Sequence, residues 1–178
     1  MLRNPVALGF AVVETTEDGV SVVHRHGAST FRTTYAMLPD TPRLEITVDA
    51  DWQESEHLLK PSMPVAVHTL RARYETQYGS IERPAHDNTL ADEAQYEVCS
   101  HRWVHVAEPG LGVGVVNDST YGCDVRRIPG GTDLRPTLLR APRYPDRRPT
   151  GGGTRSVSPW WPGTTRPRGR RPTTGRGT

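Results

Sequence analysis

The feature of this sequence that most limits its fold is a series of short segments in which apolar and polar residues alternate. The clearest is residues 44–52, where acids and threonine separate four apolar residues: Leu44, Ile46, Val48 and Ala50. A period of two puts these side chains on one face of a half-buried antiparallel strand. No segment keeps a helical period over a window of about 11 residues, so the alternation predicts a chain built from strands.

Other segments share this composition and are separated by glycine, proline and aspartate, as at residues 17–19 and 39–42. The further predicted strands are residues 20–26, 31–38, 64–68, 72–78, 95–99, 102–106, 112–116 and 134–139. Many short strands favour an all-β antiparallel sandwich or barrel over alternating β and α units. Residues 80–92 are predicted to be a long polar loop, and loops of that length are often functional.

Charge divides the chain into two parts. Residues 1–146 hold all 20 acidic residues and 14 of the 22 basic ones, a formal balance of −6. Residues 147–178 hold eight arginines and no acid, and 27 of these 32 residues are Arg, Gly, Pro or Thr. Such a segment cannot bury enough apolar surface to offset chain entropy, so it is predicted to be disordered.

The two cysteines, Cys99 and Cys123, form neither a disulfide framework nor a zinc-binding spacing. We expect two free thiols in a reducing cytoplasm. The apolar stretch in residues 1–10 is too short and too interrupted for a signal sequence, and no run of residues is long enough to span a membrane. A cytoplasmic location is therefore expected, without a membrane partner.

The most specific pattern is a series of motifs in a fixed order. The motifs are Val-Asp-Ala-Asp-Trp-Gln-Glu at 48–54, Tyr-Glu-Thr-Gln-Tyr-Gly at 74–79, Glu-Arg-Pro-Ala-His-Asp-Asn-Thr at 82–89, Tyr-Glu-Val-Cys-Ser-His-Arg-Trp at 96–103, Glu-Pro-Gly-Leu-Gly-Val at 108–113, Asn-Asp-Ser-Thr-Tyr-Gly at 117–122 and Leu-Leu-Arg-Ala-Pro at 138–142. In this order and spacing the series resembles the C-terminal region of bacterial-type α-mannosidases of glycoside hydrolase family 38. The resemblance covers roughly residues 20–146.

The chain departs from that family pattern at four positions. An aromatic residue is usual where Leu90 and Leu111 stand, and Lys and His are frequent where Thr120 and Cys123 stand. We expect the fold to tolerate these changes, with altered chemistry in the loops.

The resemblance implies an incomplete portion of a galactose-mutarotase-like β-supersandwich, from an enzyme that hydrolyses terminal α-mannosides with retention. Retention uses two carboxyl groups about 5–5.5 Å apart, one as nucleophile and one as acid and then base. In this family the nucleophile and a zinc site belong to an N-terminal α/β domain, to which nothing in this sequence corresponds. We therefore assign no catalytic residue, metal or cofactor to this chain, and we expect zinc in the separate catalytic domain. The C-terminal sandwich is expected to pack against that domain and to close one side of the cleft.

Two turns are candidates for contact with a mannoside. In the first, Asn117 and Asp118 offer hydrogen-bonding groups, and Tyr121 offers an aromatic face. The alternative is an Asx-type turn, in which such side chains bond their own backbone. The second turn contains His86 and Asn88, and its alternative is a solvated polar loop.

Two other groups of polar residues have simpler interpretations. His24 and His26 could form a metal pair on one strand face, but without a third ligand nearby they are predicted to be surface histidines. Asp49, Asp51 and Glu54 have the composition of an acid–base cluster. A solvated face or internal hydrogen bonding is the preferred interpretation there.

The predicted organisation has a poorly defined segment at residues 1–19, the sandwich at residues 20–146 and the tail at residues 147–178. Family members continue beyond the tail boundary with another amphipathic strand. A frameshift in a G+C-rich gene would replace that strand with the Arg, Pro, Gly and Thr codons found here. We therefore expect an out-of-frame tail and a sheet that lacks its last strand.

Three functions compete. The favoured one is a domain fragment of an α-mannosidase that is inactive alone, with a mannoside and the catalytic domain as partners. The alternative is a stand-alone carbohydrate-binding sandwich. A nucleic-acid binder with a basic tail is disfavoured, although arginines with two tryptophans could bind nucleic acid by charge and stacking.

Overall fold

The fold is described from a computed structural model. It describes residues 11–16, 19–95, 97–117 and 120–141, together with the backbone of residues 153–156 and 160–163. The elements in chain order are β1 Val12–Thr16, β2 Gly19–His26, β3 Ser29–Met37, β4 Leu44–Asp51, β5 Leu58–Leu59, β6 Met63–Val65, β7 Arg71–Thr76, β8 Gly79–Pro84, α1 Leu90–Ala94, β9 Val98–Cys99, β10 Trp103–Glu108, β11 Leu111–Val116, β12 Gly122–Ile128, β13 Gly131–Pro136, β14 Leu139–Arg140, β15 Gly153–Ser156 and β16 Trp160–Gly163.

Strands dominate the part of the chain that the structure describes, with 60% of it in strands and 4% in helix, and the paired strands are antiparallel. This confirms the predicted all-β, sandwich-like fold. The largest sheet has the order β1-β2-β3-β4-β16-β11-β10-β7-β8, with β15 also paired to β4. Smaller sheets have the orders β6-β13-β12-β9 and β14-β5.

The main core lies between one half of the large sheet and the four-stranded sheet. The valines of β10 and β11 pack with Tyr74 of β7 against Cys123, Val125 and Leu134 of the smaller sheet. Alternation along each strand supplies these side chains, because residues two apart point to the same face. Two layers packed through apolar faces make this part a β-sandwich.

A second core lies on β4, as its alternating pattern predicts. Ile46, Val48 and Ala50 are buried, and Leu44 packs half-buried beside them. The β14-β5 sheet covers this face of β4 through half-buried leucines, while the buried Leu138 lies just before β14. The apolar face predicted for residues 44–50 is therefore confirmed as a core face.

The predicted polar loop at residues 80–92 differs from the structure. Its first part is β8, which pairs with β7 through a tight hairpin. Its last part begins α1, whose first turn is capped by Thr89: the Thr89 hydroxyl accepts a hydrogen bond from the Asp92 amide at 3.1 Å, and the Asp92 carboxylate accepts one from the Thr89 amide at 3.2 Å. Backbone pairing and this capping box stabilise elements that show no apolar period.

The predicted tail also differs at eight residues. The backbones of Gly153–Ser156 and Trp160–Gly163 form β15 and β16, which pair with β4 and β11. Strand edges present unpaired backbone donors and acceptors that a neighbouring segment can satisfy whatever its side chains. The gap expected from a missing last strand is therefore bridged by β16, and the other tail residues lie outside the described ranges.

Within the described ranges, no helix is long and apolar enough to cross a membrane.

Leu134 provides a test of the main core, because it is completely buried between the two sheets. Leu134→Ala is expected to lower the free energy of unfolding by about 3 kcal/mol, through lost burial and the cavity left behind. Leu90→Ala is the matched control, because Leu90 is exposed and should change stability by less than about 0.5 kcal/mol. Urea denaturation of both variants measures the difference, and equal effects would contradict this description of the core.

Candidate functional site

The candidate site is a cavity of about 730 Å³ between the segment that joins β8 to α1 and the strand β12. A ligand-sized cleft with converging polar groups is the usual form of a small-molecule site. Its lining includes His86 and Asn88, two of the residues predicted to contact sugar, together with Arg83, Asp92 and Arg126. The structure therefore brings one of the two predicted turns to a cavity.

Backbone pairing fixes the position of His86. The preceding residue, Ala85, is completely buried; its amide donates to the Leu70 carbonyl at 2.9 Å, and its carbonyl accepts from the Arg127 amide at 2.8 Å. His86 then emerges beside α1, with its Nδ1 atom 3.6 Å from the carboxylate of Asp92. Because Asp92 also caps α1, the same carboxylate lies at the start of the helix and beside His86 in the wall of the cavity.

A buried carboxylate, Asp124, also contributes to the lining. It lies on β12 and forms ion pairs with Lys60 and Arg135, while Arg126 approaches with its Nε atom 3.2 Å from the carboxylate. Lys60 also pairs with Glu97 at 3.1 Å. A buried charge is tolerated only when it is paired and hydrogen-bonded. These contacts therefore tie the segment after β5 to β12 and β13.

Sequence reasoning did not identify the group around Asp124. Lys60 and Asp124 are 64 positions apart, and no spacing rule connects them. Two features of the sequence could have drawn attention to this group. Lys60 is the only lysine in the chain, and Asp124 is a charged residue between the apolar residues Cys123 and Val125. The alternation puts Asp124 on the opposite face of β12 from those two core residues.

Two nearby groups are held in their neutral forms. Burial, together with the negative charge of Asp124, raises the pKa of the Cys123 thiol to about 12. Burial also raises the pKa of the Tyr74 phenol well above its ordinary value. Tyr74 therefore presents no charge to the cavity that it lines.

The other predicted turn lies away from the residues that line this cavity. Asn117 is buried, and its side-chain oxygen accepts a hydrogen bond from the Thr120 amide at 3.0 Å, as in the Asx-type alternative. Tyr121 is exposed, and its ring centre lies 5.4 Å from that of His101. Asp118 lies outside the described residues. Sugar contact by any of the five predicted residues stays a prediction.

An ion pair supports the turn that contains Asn117. Arg102 donates from its backbone amide and its guanidinium to the carboxylate of Glu75, at 3.0 Å and 2.8 Å. The hydrogen bond from the Arg102 side chain lowers the pKa of Glu75 below its ordinary value. The Arg102 carbonyl accepts from the Asn117 amide at 2.8 Å, so the pair anchors the start of the turn.

Among the described residues, no group of three or more His, Cys, Asp or Glu side chains could hold a metal ion. Two acidic residues at the end of β4 and just after it make internal hydrogen bonds instead. Glu54 accepts from the Ala28 amide at 3.0 Å, and Asp51 accepts from the Gln53 side chain at 2.7 Å. These residues therefore do not fit a zinc site.

The fold and its cavity define this chain as an antiparallel β-sandwich domain with a polar cleft at one sheet. The family model for the glycosyl hydrolases family 38 C-terminal domain matches residues 3–148. The chain belongs to this family, and the predicted family resemblance is confirmed.

Curated relatives agree with this assignment. The chain is 40% identical to human "Alpha-mannosidase 2C1" over 105 residues, which are 59% of the chain and 10% of the relative. It is 38% identical to the "Alpha-mannosidase" of Saccharomyces cerevisiae over 100 residues, 56% of the chain and 9% of the relative. The chain thus spans about a tenth of the length of the relatives it matches.

Solved structures share the fold. An α-mannosidase from Enterococcus faecalis V583 superposes with a TM-score of 0.60 at 17% identity, covering 74% of this chain and 15% of that one. A second family 38 protein from Enterococcus faecalis gives a TM-score of 0.54 at 16% identity, covering 79% and 16%. At these identities the likeness concerns the fold alone.

The two thiols should differ in reactivity. Both are free, but Cys99 is exposed, whereas Cys123 is buried with a raised pKa. At about pH 8 iodoacetamide is expected to alkylate Cys99 and to spare Cys123, because the thiolate is the reactive form. Mass spectrometry of native and urea-unfolded protein measures this, with Cys99→Ser as the control. Alkylation of both thiols at one rate in the native protein would contradict the burial of Cys123.

The group around Asp124 can be tested in the same way. Asp124→Asn leaves three cations without their shared carboxylate, and we expect a loss of about 2–3 kcal/mol in unfolding free energy. The loss is smaller than for a fully buried pair because the Arg126 side chain is half exposed. Asp87→Asn, at an exposed residue of the same cavity, is the control. Equal denaturation midpoints for the two variants would show that the pairs contribute little.

Proposed function

We propose that this chain is the C-terminal β domain of a retaining α-mannosidase and that it acts on terminal α-mannosides only together with a catalytic domain. The observation that carries the proposal is the family match over residues 3–148, supported by the 40% identity to human α-mannosidase 2C1. The aligned segments make up about a tenth of the length of each relative, so the greater part of each enzyme lies outside the region that this chain matches.

The proposed division of labour follows from the chemistry of retention. A nucleophilic carboxylate attacks the anomeric carbon, and a second carboxyl group donates and then removes a proton. Asp124 is unsuited to attack, because Lys60 and Arg135 already occupy its oxygens. We assign the nucleophile and a zinc ion, which would bind sugar hydroxyls, to the catalytic domain.

This chain would support the catalytic domain and close one side of its cleft. The exposed ring of Tyr121 suits packing against the apolar face of a sugar, and the turn behind it is held by Asn117 and by the Glu75–Arg102 pair. His86 and Asn88 offer hydrogen-bonding groups at the cavity. We also propose a cytoplasmic location, because both thiols are free.

Reconstitution of an enzyme tests the proposal. The Saccharomyces cerevisiae α-mannosidase would be shortened by the 100 residues that match this chain and then co-expressed with the full chain. We expect the pair to release aryl alcohol from a chromogenic aryl α-mannoside, and each part alone to be inactive, because neither holds a complete site. The intact yeast enzyme provides the reference rate.

Two outcomes contradict the proposal. Mannoside hydrolysis by the purified chain alone would show that it carries its own catalytic groups. Saturable mannose binding by the chain alone, without reconstitution, would favour the carbohydrate-binding module. The polar cavity beside His86 is the observation that favours the carbohydrate-binding module as a second candidate function.

A further inference from the structure

One face of the β1–β4 part of the large sheet continues beyond the core that covers it. Paired residues in neighbouring antiparallel strands lie on the same face, so the register defines rows across the sheet. One row runs Val13, Val22, Thr33 and Val48, and the next runs Thr15, Val20, Tyr35 and Ile46. Met37 lies on this face too, beside Leu44. We call Val13, Val20, Val22, Tyr35 and Met37 the uncovered face.

Exposure along these rows shows where the cover stops. Val48 on β4 is 6% exposed because the β14-β5 sheet and Leu138 lie over it. At the far end of the same row, on β1, Val13 is 64% exposed. Met37 at the end of β3 is 66% exposed. The apolar surface is therefore continuous with the core but extends past the edge of its covering layer.

The opposite face of the same strands has a different composition. It carries Glu14, Arg25, Arg32, Glu45 and Asp49, alternating with the residues of the uncovered face. Glu14 and Arg32 form an ion pair at 2.7 Å on that side. Only this charged face has the composition of a solvated sheet surface, whereas the uncovered face has no Asp, Glu, Lys or Arg. Alternation that separates charge from apolar side chains in this way is typical of a sheet covered on one side.

We propose that the uncovered face is the surface through which this chain packs against the rest of an α-mannosidase. The inference rests on the proposed function and deepens it by naming the residues in contact. The partner surface must be apolar and uncharged, because a charge facing Val13 or Val22 would be desolvated without a partner. The segments shared with this protein make up about a tenth of each relative, so about nine tenths of each relative remain to supply such a surface.

The structure offers an unusually close pair of variants for the test. Val12 and Val13 are neighbours on β1 with the same side chain, and they are 61% and 64% exposed, but they point to opposite faces. Aspartate at either position is solvated in the free chain, so neither Val12→Asp nor Val13→Asp should change the temperature of unfolding. Only Val13→Asp puts a charge into the proposed interface.

The measurement is co-purification. The tagged full chain, as wild type, Val12→Asp, Val13→Asp or Met37→Asp, is co-expressed with the shortened yeast α-mannosidase, and the recovered partner is quantified. Wild type and Val12→Asp are expected to recover similar amounts. Val13→Asp and Met37→Asp are expected to recover at least about tenfold less, because a buried unpaired charge costs more than the 1.4 kcal/mol that corresponds to one decade in affinity.

The remaining outcomes separate the two proposals. Equal recovery with all four chains would overturn the assignment of this face and leave the proposed function intact. No recovery with the wild-type chain would overturn both. If light scattering shows that the chain alone is a dimer that Val13→Asp makes monomeric, a second copy occupies the face and the inference is wrong.

Discussion

The apolar contact between the valine rows of β10 and β11 and the inner residues of β12 and β13 is the interaction on which the rest of the molecule depends. It sets the distance between the two sheets, and with it the position of every loop at their ends. Tyr74, Val125 and Leu134 fill this layer almost without exposure. Interiors packed this closely respond to the loss of even one methylene, so the stability of the sandwich depends on this layer.

Ion pairs stabilise the outer face of the same four-stranded sheet, whereas apolar packing stabilises its inner face. Asp124 lies between two core residues of β12, and its carboxylate draws in Lys60, Arg126 and Arg135 from three parts of the chain. The cavity beside His86 forms where this polar layer meets the capped helix α1. The position of the candidate site therefore depends on two sets of contacts made by β12: the apolar core on one face and the ion pairs of Asp124 on the other.

The β1–β4 part of the sheet differs because its cover is incomplete. Its charged face is solvated, while its apolar face is buried only as far as the β14-β5 sheet reaches. A surface of this kind is uncommon on a protein that functions alone. The proposed contact with the rest of an α-mannosidase would cover that surface, and the chain spans only about a tenth of its relatives.

The ordered motifs of the sequence carry the resemblance to the family. The sequence by itself also determined which strands alternate strictly, and hence the all-β class and the core face of β4. It did so because a period of two is a local property that survives in any tertiary context. It did not reveal β8 or α1, which carry exposed polar side chains and are held by pairing and capping. Nor did it reveal β12, in which a buried aspartate interrupts the apolar residues. Only the tertiary structure decided that Lys60 meets Asp124, that His86 lies in a cavity while Asn117 is buried in its own turn, and that Val13 is uncovered whereas Val48 is not. These facts depend on residues far apart in the chain, and local periodicity carries no information about which distant partner a side chain will meet.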